Sequence, residues 1–245
     1  MTRKDPPGID TSRSPWHVLS GDEVERLHRD TRLMLRPRGE TYFQQGEIGR
    51  GLYCVLAGEV LLEQYDAQGT YTAFRIAGQG ELLGYRSLFA QEPHAVSARS
   101  LRSSRAGFLP EASVEALLMS NRHLAREFLG VIARDPGPVY APFLRSPSVP
   151  AIVRLTHLLL VLKDRYARPW GRSQLHYDLP LSQEQIGGLI GVRRESVSRL
   201  FRQLDAAGVC KQRGRKILVR SIERLLEFPE AAQHTSSDRA VSSGG

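Results

Sequence analysis

The chain has 245 residues, 41% hydrophobic and 24% charged, with a formal net charge of +8 at pH 7. This is the composition of a globular protein of about two domains, and it excludes a disordered chain or a membrane-embedded one. Two cysteines, Cys54 and Cys210, are too few for a disulfide framework and too far apart for a CxxC metal site.

Residues 1–14 and 231–245 mix Ser, Gly and charges with little that is apolar, and are expected to be disordered tails. Met1–Asp10 has no apolar core of a signal peptide. The longest aliphatic run, Leu158–Leu162, falls far short of the roughly 20 residues that span a bilayer. A cytoplasmic location with no membrane partner is the expectation. From Thr31 to Pro110 short apolar runs alternate with glycine, as in Gly51–Gly58 and Glu59–Tyr65, and turn signals recur at Ala67–Gly69 and Gly78–Gly80. That spacing favours a jelly roll or barrel over a βαβ fold. Gly78 and Gly80 read as turn punctuation, because no Gly-Lys-Ser or helix start follows them.

From Ala112 the apolar period changes to that of a helix, through Val114, Leu117, Leu118, Leu124, Phe128, Leu129 and Ile132. Pro136, Pro138, Pro142, Pro147 and Pro150 then bar a long continuous helix, which is predicted to end near Arg134. Helix resumes at about Ala151 and runs through Leu155, Leu158, Leu159 and Leu162 to Tyr166. No internal repeat is present. The domains expected are 15–115, a linking segment over 116–150, and 151–230.

Leu181–Leu204 reads as two amphipathic helices joined by a tight turn. Ser182 and Gln185 form a capping box, Ile186, Leu189 and Ile190 make the buried side, and Gly191 permits the turn. In the second helix Val197, Leu200, Phe201 and Leu204 form one apolar stripe, leaving Arg194, Glu195, Ser198, Arg199 and Arg202 as a contiguous polar strip. An Arg fork matches guanine O6 and N7, and a carboxylate can accept from cytosine N4, so the strip suits the major groove of double-stranded DNA. The plainer alternative is a solvated face with a Glu195–Arg199 ion pair. Gly208–Val219 then reads as strand, basic turn, strand: a β-wing with Lys211, Arg213, Arg215 and Lys216 at its tip, within reach of phosphates.

Arg194-Glu195-Ser196-Val197-Ser198-Arg199 resembles the recognition helix of the Crp/Fnr family, satisfying both Arg-Glu-x-x-x-Arg and Glu-x-x-Ser-Arg. Gly51, Leu52, Tyr53, Val55, Leu56, Gly58 and Val60, with Gly80–Tyr85, are similar to that family's effector domain. The resemblance spans roughly Thr31 to Phe228. It implies an α+β fold class: an N-terminal β jelly-roll (cyclic-nucleotide-binding-like) domain, a connecting dimerisation helix and a C-terminal winged helix-turn-helix. It further implies a homodimer on a palindromic TTGA-like operator, with Glu195, Ser198 and Arg199 at the half-site, that acts on RNA polymerase, commonly as an activator.

Three departures from the family carry weight, the first two of which bear on the effector, and a smaller one follows them. Its cyclic-nucleotide members hold ribose and phosphate with a Glu after the cassette Gly and an Arg some ten residues on, where this chain has Tyr85 and either His94 or Ala95. That argues against cyclic AMP, with Arg86 as a substitute, and leaves Gly84, Tyr85, Arg86, Ser87 and His94 as the candidate pocket for an unidentified small-molecule effector. Two cysteines cannot hold an iron–sulfur cluster within one chain. His94, His123 and Tyr85 are haem-ligand types, yet lone histidines are more often hydrogen-bonded residues, so the cofactor stays unknown. The prolines over 136–150 interrupt the family's long dimer helix, and Arg193 replaces the usual Ser or Thr cap of the recognition helix. Two alternatives stand beside this reading: a constitutive regulator without effector, and a cupin-like metabolite-binding protein or enzyme. The second lacks paired carboxylates, a nucleophile elbow or a P-loop.

Overall fold

Two apolar strands, β3 (Gly51–Ala57) and β4 (Val60–Tyr65), meet at Gly58. There φ is +83°, and a β-carbon would lie 2.7 Å from both the Ser103 carbonyl oxygen and Ser104 Cα. Only glycine fits such a corner. It carries the chain from one four-stranded sheet to another. The first sheet orders β1 (Arg32–Arg36), β8 (Ser104–Pro110), β3 and β6 (Leu82–Leu83); the second orders β2 (Thr41–Phe43), β7 (Ser97–Ser100), β4 and β5 (Tyr71–Ala77). This is the expected jelly-roll-type domain, and Gly80, at φ +87°, forms a turn between strands rather than a phosphate loop.

The computed structural model describes residues 9–10, 12, 15–134, 141–170 and 173–228. It divides into two units, Met1–Tyr65 with Phe74–Pro136, and Asp66–Ala73 with Gly137–Gly245. The expected tails lie outside the described residues apart from Ile9, Asp10 and Ser12, of which Ile9 is buried in the core of the first unit.

In the first unit β3 faces two cores, as the two-residue period of a strand requires. Val55 packs inward with Phe43, Val60, Leu83, Ala98 and Ala106. Leu52, Cys54 and Leu56 face the helices, joining Trp16, Leu27, Leu88, Val114, Leu117, Leu124 and Phe128. Those helices are α1 (Gly21–Asp30), α2 (Tyr85–Ala90), α3 (Glu111–Ser120) and α4 (Arg122–Arg134). The periodic stretch after Ala112 is therefore two helices, broken at Asn121. The expected helix end near Arg134 falls at the edge of the described residues.

Asn121 caps α4, its Oδ1 accepting from the backbone N–H groups of His123 and Leu124 at 3.0 Å each. Its Nδ2 donates to the Val18 carbonyl at 3.2 Å and to Glu23 at 3.0 Å. Glu23 also closes the capping box of α1 with Ser20. One amide side chain thus ties the first helix to α4, and Trp16 meets Phe128 edge-on at 5.4 Å beside it.

The second unit holds the short α5 (Ala141–Arg145), α6 (Ala151–Val161), α7 (Lys163–Tyr166), α8 (Gln183–Ile190) and α9 (Arg194–Ala206). Its sheet orders β11 (Cys210–Arg213), β12 (Lys216–Val219), β10 (Gln174–Asp178) and β9 (Ala167–Trp170). A last helical stretch covers 222–228. Tyr177, fully buried on β10, donates to the Leu159 carbonyl at 2.9 Å and so joins sheet to α6. Arg154 donates to the Ile190 carbonyl at the end of α8, where a cation also meets the negative end of the helix dipole.

Replacing Asn121 by Ala removes a cap and a bond to a carboxylate, and should lower unfolding free energy by about 1–2 kcal/mol in denaturant titration. The Ser20 backbone N–H foremost, aided by the Asn121 amide, holds the Glu23 carboxyl below its usual range against the opposing effect of burial. The unfolded chain then binds the extra proton first, so this stabilisation is present above about pH 4.3 and is lost as pH falls through the lower folded value. A Glu23→Gln variant should therefore be less stable at neutral pH and show a flatter acid limb; superimposable acid limbs would refute the assignment.

Candidate nucleic-acid interface

The helix-turn-helix forms as its local signals dictate. Ser182 and Gln185 make both bonds of the capping box at the start of α8. Gly191 ends that helix at φ +67°, in the left-handed region. Gly187 must also be glycine, since a β-carbon there would lie 2.5 Å from the Val192 carbonyl oxygen. Helix α9 starts at Arg193 with no side-chain cap, as the departure from the family pattern suggests.

Val197, Leu200, Phe201 and Leu204 are the buried side of α9. Arg194, Glu195, Arg199 and Arg202 are exposed, and Ser198 is half-buried among them. Arg199 donates to Ser196 Oγ at 3.1 Å, and the alternative Glu195–Arg199 ion pair is absent among the described residues. Arg194, Glu195 and Arg202 have no side-chain hydrogen bond or ion pair to any described residue. The strip is a row of charges held on a rigid helix and engaged with little of their own protein.

The wing turns at Gly214, φ +60°, between paired Arg213 and Lys216. Arg213, Arg215 and Lys216 are exposed at its tip, whereas Lys211 is half-buried lower on β11, opposite Leu218. Arg220 fixes the base of the wing to α9 through Asp205 at 2.7 Å. Between α8, α9 and the wing lies a groove of about 420 Å³ lined by Ser182, Gln183, Ser198, Arg202, Gln212 and Arg215, among others. Gln183 bridges to Gln212 at 3.2 Å, and Gln212 to the Gly214 carbonyl at 3.1 Å. Sequence reasoning had Ser182 only as a cap and missed Gln183 and Gln212, whose place in the groove depends on the wing folding back.

Positive charge is concentrated here. Of 34 Lys and Arg, 17 lie in the second unit, against 10 of 26 Asp and Glu, so nearly all the surplus belongs to it. Counterion release on a phosphate backbone rewards such a distribution.

In the first unit three of the candidate effector residues, Gly84, Ser87 and His94, lie together, whereas the side chains of Tyr85 and Arg86 lie in the core and at the surface. Gly84, φ +82°, starts α2; Tyr85 is in the core with Leu52 and Leu88; Arg86 is exposed. Ser87 donates to the Glu92 carbonyl. His94 is buried and stacked on Phe43, while Ala95 is exposed, so His94 is the inward one of the two. Burial holds the His94 imidazole below its usual pKa, opposed by the Glu47 carboxylate. Phe43 and Gly49 complete this cluster with Gly84, Ser87 and His94, and nothing local in the sequence marks them.

A family model described as a Crp-like helix-turn-helix domain matches residues 153–228, and one described as a cyclic nucleotide-binding domain matches 35–121. The "CRP-like cAMP-activated global transcriptional regulator" of Mycobacterium tuberculosis is 27% identical over 191 residues, 77% of this chain and 84% of the relative. The fumarate and nitrate reduction regulatory protein of Escherichia coli K12 is 24% identical over 202 residues, 81% and 77% of the two chains. The fold is similar to that of FixK2 from Bradyrhizobium japonicum, with a TM-score of 0.67 at 22% identity over 80% of this chain and 96% of that one. With both of its domains matched in order, the chain belongs to the Crp/Fnr family of transcription regulators, a cyclic-nucleotide-binding-like domain followed by a Crp-like helix-turn-helix.

Proposed function

We propose that this regulator binds a palindromic, TTGA-like operator as a homodimer in the cytoplasm, catalyses no reaction, and controls transcription through RNA polymerase. The observation that carries the reading is the exposed strip of α9, with Arg194, Glu195 and Arg202 unengaged, beside an exposed basic wing tip. In this reading Arg194, Glu195, Ser198 and Arg199 contact base edges, while Arg202, Lys211, Arg213, Arg215 and Lys216 contact phosphates. The uncapped start of α9 adds free backbone donors for a phosphate, which would also relieve the charge of Arg193 against the helix dipole.

Support for the homodimer comes from α4. Its inner side buries Leu124 and Phe128, whereas Leu129 is 67% exposed between Ala125 and Ala133. A large apolar side chain flanked at i±4 by small ones suits the packing of a second helix. Two-fold symmetry would then set the recognition helices about 34–36 Å apart, one turn of DNA.

Selection from a random DNA library at physiological salt, with no effector added, should enrich a TTGA-type palindrome, and the Arg194→Ala, Glu195→Ala double variant should lose it. Enrichment of the same sequence by both proteins would overturn direct readout by α9. The wing makes a separate expectation: Arg213→Ala, Arg215→Ala, Lys216→Ala should weaken binding to all sequences alike. It should also flatten the slope of log K against log salt by about 0.9 for each phosphate that is no longer neutralised. For assembly, Leu129→Asp should sediment as a monomer at micromolar concentration where the parent is a dimer; a monomeric parent refutes the homodimer.

A further inference from the structure

The place where the family resemblance expects a ligand is filled from within the first unit. His94 is 5% exposed, and its ring lies on that of Phe43 with centroids 3.9 Å apart and planes 16° from parallel. Two glycines close around the same imidazole. A β-carbon at Gly49 would lie 3.3 Å from His94 Cε1 and 2.9 Å from Ser87 Cβ, and one at Gly84 3.6 Å from His94 Cε1.

The backbone holds this arrangement on both sides. The His94 N–H donates to the Glu47 carbonyl at 2.8 Å, and the His94 carbonyl accepts from the Gly46 N–H at 2.8 Å. Ile48 and Pro93 form an antiparallel bridge next to them. Phe43 is itself backed by Tyr53, ring centroids 5.3 Å apart.

A cyclic nucleotide does not fit these residues. Its phosphate anion would need a buried counter-charge or a set of donors, and the charge acting on His94 is the carboxylate of Glu47. Tyr85, where a carboxylate would hold the ribose, is part of the hydrophobic core.

We propose that His94 is the built-in occupant of the sensor domain: its imidazole, stacked on Phe43 beneath Gly49 and Gly84, closes the site, so that the regulator binds its operator without a cyclic nucleotide. The closure stands on the first unit alone; its consequence rests on the DNA-binding reading above.

The test uses the full-length protein. Thermal unfolding of the parent should be unmoved by millimolar cyclic AMP or cyclic GMP. His94→Gly should unfold roughly 5 °C lower, as expected for a ring-sized cavity in a domain of this size. Free imidazole should restore part of that loss in the variant alone, because a cavity of matching shape takes up a small ligand. A saturable upward shift of the parent by either nucleotide overturns the proposal, as does an unchanged melting temperature in His94→Gly. If that variant fails to fold, diethylpyrocarbonate on the parent decides: it should modify exposed His123 and spare His94, and equal modification of both overturns the closure. Operator affinity should be the same with and without cyclic AMP, and a stimulation of tenfold or more overturns the consequence. No operator binding in any condition, with His94 protected and the imidazole effect present, overturns the DNA-binding reading and supports the closure.

Discussion

The interface depends on one packing constraint, the burial of Val197, Leu200, Phe201 and Leu204 along one side of α9. A helix advances 100° per residue, so burying that stripe leaves Arg194, Glu195, Ser198, Arg199 and Arg202 no orientation except outward. The stripe is worth several kcal/mol of apolar transfer, at about 1.5–3 kcal/mol for each large side chain fully buried. No surface ion pair on the outer face competes with that, and the Glu195–Arg199 pair is absent among the described residues. Gly187 and Gly191 let the preceding helix approach and turn closely enough for the stripe to be covered.

A row of exposed charges of which Arg194, Glu195 and Arg202 engage no described residue contributes little to stability. The second unit compounds this with its surplus of Lys and Arg. The same features become favourable beside a polyanion, where each neutralised phosphate displaces a condensed counterion and the fixed helix spares the entropy of ordering. Charges that serve the fold are treated differently: Arg220 is paired with Asp205, and Arg154 is buried with a carbonyl partner.

The sensor domain shows the opposite arrangement. Its inner space, between the two sheets, is taken by Tyr42, Phe43, Tyr53 and His94, with ring contacts running from one to the next. Aromatic filling of this kind gives a close-packed interior of high density. The jelly-roll frame is that of its family, and its interior among the described residues is aromatic.

Much of this was legible locally. Ser182 with Gln185, the 3.6-residue period of α9, Gly191, and the basic turn at Gly214 each act within about four residues of themselves, so their outcome follows from neighbours in sequence. The same kind of signal, Ser20 with Glu23, marks α1, whereas the short β9 and β10 and the single-turn α5 carry too little period to detect. What only the tertiary structure decided is who meets whom across the chain. Lys211 pairs with Leu218 below the wing tip, Gln183 finds Gln212, Asn121 reaches back to Glu23, and His94 comes to rest on Phe43. Backbone preference and capping are local energies that the sequence by itself determines. The environment of a side chain is set by residues that become neighbours only when the core closes, and its charge, burial and role follow from that closure.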